Sequence, residues 1–255
     1  MTDDSWKVYQ AGERSAIEVL QRWLERPPPW RKVTSSGPIS ERTTPITEAS
    51  ARRGSTYVPS TRYRTAGSQA LDEETQINIA LMLRRPLLVT GPPGIGKSTL
   101  AYHLAWALGL GEPLRWEISS RTTLKDGLYG YDAVDHLRSI EESKRGAEDR
   151  DLGSFITLGP LGTALLPTAH PRVLLVDELD KAGFDLPNDL LHVFEEGAFA
   201  IPELVRCGED QAIVPTGART AGDRVLVSGG NVRTLHHPVV VITSNGEREF
   251  PKAFL

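Results

Sequence analysis

One stretch limits what this chain can fold into: Pro86-Leu87-Leu88-Val89-Thr90-Gly91-Pro92-Pro93-Gly94-Ile95-Gly96-Lys97-Ser98-Thr99. A short apolar run leads into a glycine-rich loop, and good helix formers follow from Leu100 to Leu108. The pattern predicts strand, loop, helix, with G-x-x-x-x-G-K-S at the bend. Successive backbone N–H groups facing one concavity can hold phosphate oxygens, and side chains there would block them. Gly91, Gly94 and Gly96 permit that path. The loop Gly91, Pro92, Pro93, Gly94, Ile95, Gly96, Lys97, Ser98 and Thr99 is therefore the candidate nucleotide-binding segment. Lys97 suits the outer phosphates, and the Ser98 hydroxyl suits Mg²⁺. A plain glycine-rich turn would share the composition; the strand before it and the helix after it favour the phosphate cradle.

The whole chain has 255 residues, a net charge of −4 and 39% hydrophobic residues, enough for one α/β domain with further segments. Mild acidity gives no general attraction to nucleic acid or anionic membrane. Cys207 is the single cysteine, so no internal disulfide can form. No apolar run reaches the length of a membrane span, and Met1-Thr2-Asp3-Asp4-Ser5 lacks an apolar signal core. The expectation is a cytoplasmic protein.

Two regions are expected. Residues 1–66 form an N-terminal helix plus an irregular linker, and residues 67–255 form the core. The helix spans roughly Glu13 to Glu25, with Ile17, Leu20 and Leu24 on one face, Trp23 beside them, and Pro27-Pro28-Pro29 closing it. Residues 33–66 read as a linker or wrap, locally basic at Arg42, Arg52, Arg53, Arg62 and Arg64. A nucleic-acid arm is disfavoured there, since only Tyr57 and Tyr63 offer stacking. Residues 69–84 read as a helix leading into the strand at 86–90. Tyr129-Gly130-Tyr131 reads as a loop, Glu141 to Asp151 as a charged excursion, and 197–235 as one or more hairpins. Alternating strands and helices predict a parallel sheet with helices on both faces.

Two further constellations belong to this sheet. Val173-Leu174-Leu175-Val176 is a buried strand running into Asp177-Glu178-Leu179-Asp180. Ligands in such sheets sit at strand C-termini, so Asp177 falls near the loop and suits Mg²⁺. Glu178 suits polarising a water for attack on the terminal phosphate. An acidic helix cap is the alternative, and Asp180 is open to either role. Val239-Val240-Val241-Ile242 ends in Thr243-Ser244-Asn245. Asn245 suits holding the attacking water or a phosphate oxygen, or is a turn residue before Gly246.

GPPGIGKST, VLLVDELD and VVVITSN resemble the Walker A, Walker B and sensor-1 motifs of AAA+ ATPases. Gly159-Pro160-Leu161-Gly162 and the run Thr243 to Pro251 resemble the MoxR-like and dynein-related branch. The resemblance covers about 69–255. It implies a three-layer P-loop NTPase fold with β-hairpin insertions, ATP as substrate and Mg²⁺ as cofactor. It assigns catalysis to Lys97, Glu178 and Asn245 and metal binding to Ser98 and Asp177. It also implies a homo-oligomeric ring, usually a hexamer, and chaperone-like remodelling of a protein client, such as a von Willebrand A-domain partner. Tyr129 and Tyr131 would either grip that client or pack against the domain.

The family pattern continues with a fifth strand and a small helical lid, neither of which is expected within these 255 residues. The expectation is nucleotide binding with poor hydrolysis; Arg248 is a weak candidate for an arginine finger. The competing readings are an ATP-binding switch or assembly scaffold with little turnover, and a nucleic-acid-associated motor supported only by the basic linker.

Overall fold

The computed structural model describes residues 6–32, 44–59, 72–145, 150–208, 210–217 and 223–250. Arg42, Arg62, Tyr63 and Arg64 of the basic stretch, and Leu71, lie outside them.

The central sheet is fully parallel and runs β1 (Leu87–Thr90), β10 (Val239–Ser244), β5 (Val173–Asp177), β2 (Leu114–Glu117) from edge to edge among the described residues. β5 and β10 are buried at every position, which explains their unbroken apolar sequence. Alternate side chains divide between two layers. Val173, Leu175, Val239 and Val241 face α1 (Ile17–Glu25), α3 (Glu73–Leu83) and α4 (Thr99–Ala107). Leu174, Val176, Val240 and Ile242 face α7 (Pro160–Ala164) and α8 (Leu186–Glu196). The expected three-layer P-loop NTPase architecture is what forms, with β1 running straight into the glycine loop.

The N-terminal helix starts later than its sequence suggested, at Ile17. It buries Leu20 and Trp23 against Ile77 and Leu104, while Ile17 is solvent-exposed. The stretch read as an irregular linker also carries a helix, α2 (Glu48–Ser55). It has no large apolar residue to mark a buried face, but Thr47 caps it by accepting from the Ser50 amide, and the buried Glu112 carboxylate accepts from the Thr47 amide and the Ser50 hydroxyl. Glu48, Ala49, Ala51, Arg52 and Arg53 are good helix formers, and the cap and Glu112 anchor the helix that they favour.

Tyr129-Gly130-Tyr131 is likewise not a loop. After α5 (Leu124–Leu128) it forms β3 (Tyr129–Tyr131), antiparallel to β4 (Ile156–Leu158), with α6 (Ala133–Ser143) between them. The Tyr129 hydroxyl donates to Glu203 and the Tyr131 hydroxyl bonds His136, so both rings pack against the domain. The expected hairpin region forms an antiparallel sheet in the order β6 (Ala198–Ala200), β9 (Asn231–Arg233), β8 (Arg224–Ser228), β7 (Gln211–Pro215), with a short helix α9 (Pro202–Cys207) inside it. Among the described residues, no helix is long and apolar enough to cross a membrane.

Candidate functional site

The C-terminal ends of β1, β5 and β10 bring the predicted residues together. In the glycine loop, Gly94 and Gly96 hold φ of +82° and +91°, which side-chain-bearing residues rarely adopt. A Cβ on either would meet no atom within 4 Å, so the space before the loop is open. Among the described residues, the amides of Gly94, Ile95, Gly96, Lys97 and Ser98 find no acceptor. Amides without acceptors at the start of α4 form an anion cradle. This donor set fits a chain of phosphates.

Lys97 is buried yet its ammonium turns back over the loop. It donates to the carbonyls of Gly91 at 2.7 Å and Pro92 at 2.9 Å, and to Asn245 Oδ1 at 2.8 Å. Among the described residues this ammonium has three neutral oxygen acceptors and no carboxylate partner, an arrangement that suits an incoming anion.

Asp177 closes β5 beside the loop. Its Oδ1 accepts from Ser98 Oγ at 2.7 Å and from Thr243 Oγ1 at 2.8 Å. Its Oδ2 accepts from Arg115 Nε at 3.1 Å and Nη2 at 2.8 Å, while Arg115 Nη1 lies 2.9 Å from Glu117 Oε1. Burial disfavours the charged Asp177, but the hydrogen bonds from Ser98, Thr243 and Arg115 outweigh it and hold the carboxyl below its ordinary value. A hydroxyl and an ionised carboxylate side by side are hard oxygen ligands of the kind Mg²⁺ takes.

Glu178 occupies the left-handed region at φ +63°, ψ +49°. That is costly for a residue with a Cβ, about 1–2 kcal/mol, and marks a position held by its surroundings. Its amide donates to Thr243 Oγ1 at 2.9 Å. Its carboxylate lies 2.6 Å from Lys181 Nζ and 3.4 Å from Asn245 Nδ2. Asn245 thus touches both Lys97 and Glu178. Its own amide is fixed by Asp180 Oδ2, which also accepts from the Glu247 amide.

Four contributors escaped the sequence reading: Arg115, Thr243, Lys181 and the structural use of Asp180. Arg115 carried a faint signal as an exposed residue alternating along β2, whose end at Glu117 pairs in register with Asp177. Thr243 is a hydroxyl interrupting an apolar strand. Asp180 is 3% exposed and pins the loop after β10 rather than capping a helix. Arg248 donates to the carbonyl of Ala182 in its own chain.

A family model described as AAA domain (dynein-related subfamily) matches residues 86–245, more than half of the chain. No curated protein matches the chain.

Proposed function

Since the chain belongs to the AAA domain family, dynein-related subfamily, and so carries an ATPase domain of that kind, we propose that it binds ATP with Mg²⁺ in the Gly91–Thr99 loop and hydrolyses it to remodel a partner protein. The observation that carries the reading is the convergence of Lys97, Asp177, Glu178 and Asn245 at one sheet edge beside acceptor-less loop amides.

In this reading the loop amides and Lys97 hold the phosphates. Ser98 and Asp177 hold Mg²⁺, which when bound offsets negative charge on the phosphates. Glu178 takes the proton of the attacking water, and Asn245 positions that water or a terminal phosphate oxygen between Lys97 and Glu178. Lys181 sits on the outer oxygen of Glu178, leaving the other beside Asn245.

The finer placement in this reading is the MoxR-like branch, acting as a homo-oligomeric ring of six on a von Willebrand A-domain or similar client. Two features support it: the Gly159-Pro160-Leu161-Gly162 segment opening α7, and the sheet β6-β9-β8-β7 inserted between β5 and β10. Gly162 is tightly enclosed, since a Cβ there would collide with the Leu128 carbonyl. The test is steady-state phosphate release. Wild-type chain should turn over Mg-ATP, and Glu178→Gln should bind ATP normally while losing turnover by about 10²–10⁴-fold. Equal, negligible turnover in both would favour the ATP-binding switch.

A further inference from the structure

Arg53 of α2 stands at the first turn of the loop's helix. Its Nε lies 3.4 Å from Thr99 Oγ1, and its guanidinium lies over the Tyr102 ring, 4.1 Å from the centroid. The side chain is exposed, and its two Nη groups have no partner among the described residues. The stack fixes a planar fork of donors and leaves it facing solvent beside the phosphate cradle.

The helix bearing Arg53 is docked closely. The Gly54 carbonyl accepts from His103 Nδ1 at 2.9 Å, and Tyr57 stacks on the same imidazole at 4.9 Å. A Cβ at Gly54 would sit 2.5 Å from the Tyr102 carbonyl oxygen, so α2 and α4 are nearly in backbone contact. The backbone that carries Arg53 is therefore fixed relative to α4.

Lys97 reaches the cradle from the β10 side, bonded to Asn245, while Arg53 reaches it from α2 beyond Ser98. Two cations anchored at different points of the loop suit a chain of phosphates better than a single one. The geometry points to Arg53 as a nucleotide-binding residue that takes the phosphate nearest the sugar of a nucleoside di- or triphosphate. This rests on the nucleotide reading above and gives the N-terminal segment a direct role in it. Arg53 touches the phosphate that ATP and ADP share, so it contributes equally to both.

Calorimetry of the full chain with Mg-ATP and Mg-ADP tests this on wild type, Arg53→Ala, Arg53→Lys and Lys97→Ala, with thermal unfolding of each without nucleotide. Arg53→Ala should weaken both nucleotides by about tenfold and leave the ligand-free midpoint unchanged. Arg53→Lys keeps a cation over Tyr102 but loses the fork, and should weaken both several-fold. Should Arg53→Ala lower the midpoint, the lysine variant decides: a several-fold loss supports the role and none overturns it. Unchanged binding in Arg53→Ala, with binding lost in Lys97→Ala, overturns the role of Arg53 alone. A loss for ATP but not ADP also overturns it, by moving Arg53 to the terminal phosphate. Wild type that binds neither nucleotide overturns both this role and the nucleotide reading.

Discussion

Lys97 and Asn245, 148 residues apart in sequence, meet through a 2.8 Å hydrogen bond from the lysine ammonium to the asparagine Oδ1. The same asparagine presents its Nδ2 to Glu178. Asn245 is therefore the link between the phosphate side of the site and its carboxylate. Asn245→Ala should leave ATP affinity within a few-fold of wild type and slow turnover by about 10²–10³-fold. Comparing Kd with kcat checks this; equal losses in both would make Asn245 a binding residue instead.

If Asp177 holds Mg²⁺ as proposed, Arg115 and the ion would compete for its carboxylate. Arg115 places two donors on Asp177 Oδ2, the oxygen not used by Ser98 and Thr243. Arg115→Ala frees that oxygen, so half-maximal ATP binding should need several-fold less Mg²⁺. A Mg²⁺ titration followed by nucleotide binding reads the effect, and an unchanged or raised requirement would contradict it.

Stability should fall in acid through His237. It is buried beneath Gly197, and burial, with Arg31, Arg84 and His236 nearby, pushes its pKa down to about 4. Above the ordinary value of 6.5 the ring is neutral in both folded and unfolded chains and contributes nothing. Between 6.5 and 4 the unfolded chain takes up a proton that the folded chain refuses. Folding then loses about 2 kcal/mol by pH 5 and about 3 kcal/mol below pH 4 from this group. Urea unfolding at pH 7 and pH 5 should show a smaller acid loss in His237→Gln than in wild type. Identical losses would contradict the assignment.

Gly54→Ala sets two effects against each other. Alanine gains up to about 1 kcal/mol of helix propensity. Its Cβ would lie 2.5 Å from the Tyr102 carbonyl oxygen and 2.9 Å from Trp106 Cβ, in backbone that cannot retreat cheaply. Overpacking of this kind costs about 1–3 kcal/mol, so the net effect should be a loss, read as a lowered urea midpoint. A raised midpoint would show that α2 docks more loosely than the structure has it.

The parallel sheet and the phosphate loop were legible because their signals are local. β5 and β10 are uninterrupted apolar runs, and the loop has fixed glycine spacing before a lysine. Asp177, Glu178 and Asn245 followed from the rule that strand ends face the ligand. Helix α2 was not legible, because a sequence such as Glu48-Ala49-Ser50-Ala51-Arg52-Arg53 has little apolar periodicity; it is held by Glu112, which lies far along the chain. Arg115 was hidden for the same reason: only the β2–β5 register places it beside Asp177. Tyr129 and Tyr131 looked like loop residues because three-residue strands are too short for alternation to show.

The most direct measurement is Mg-ATP binding to the chain by calorimetry, beside Lys97→Ala. The account predicts saturable binding to wild type that Lys97→Ala abolishes while remaining folded. A folded wild-type chain that takes up no nucleotide, or a Lys97→Ala variant that binds as wild type does, would contradict it.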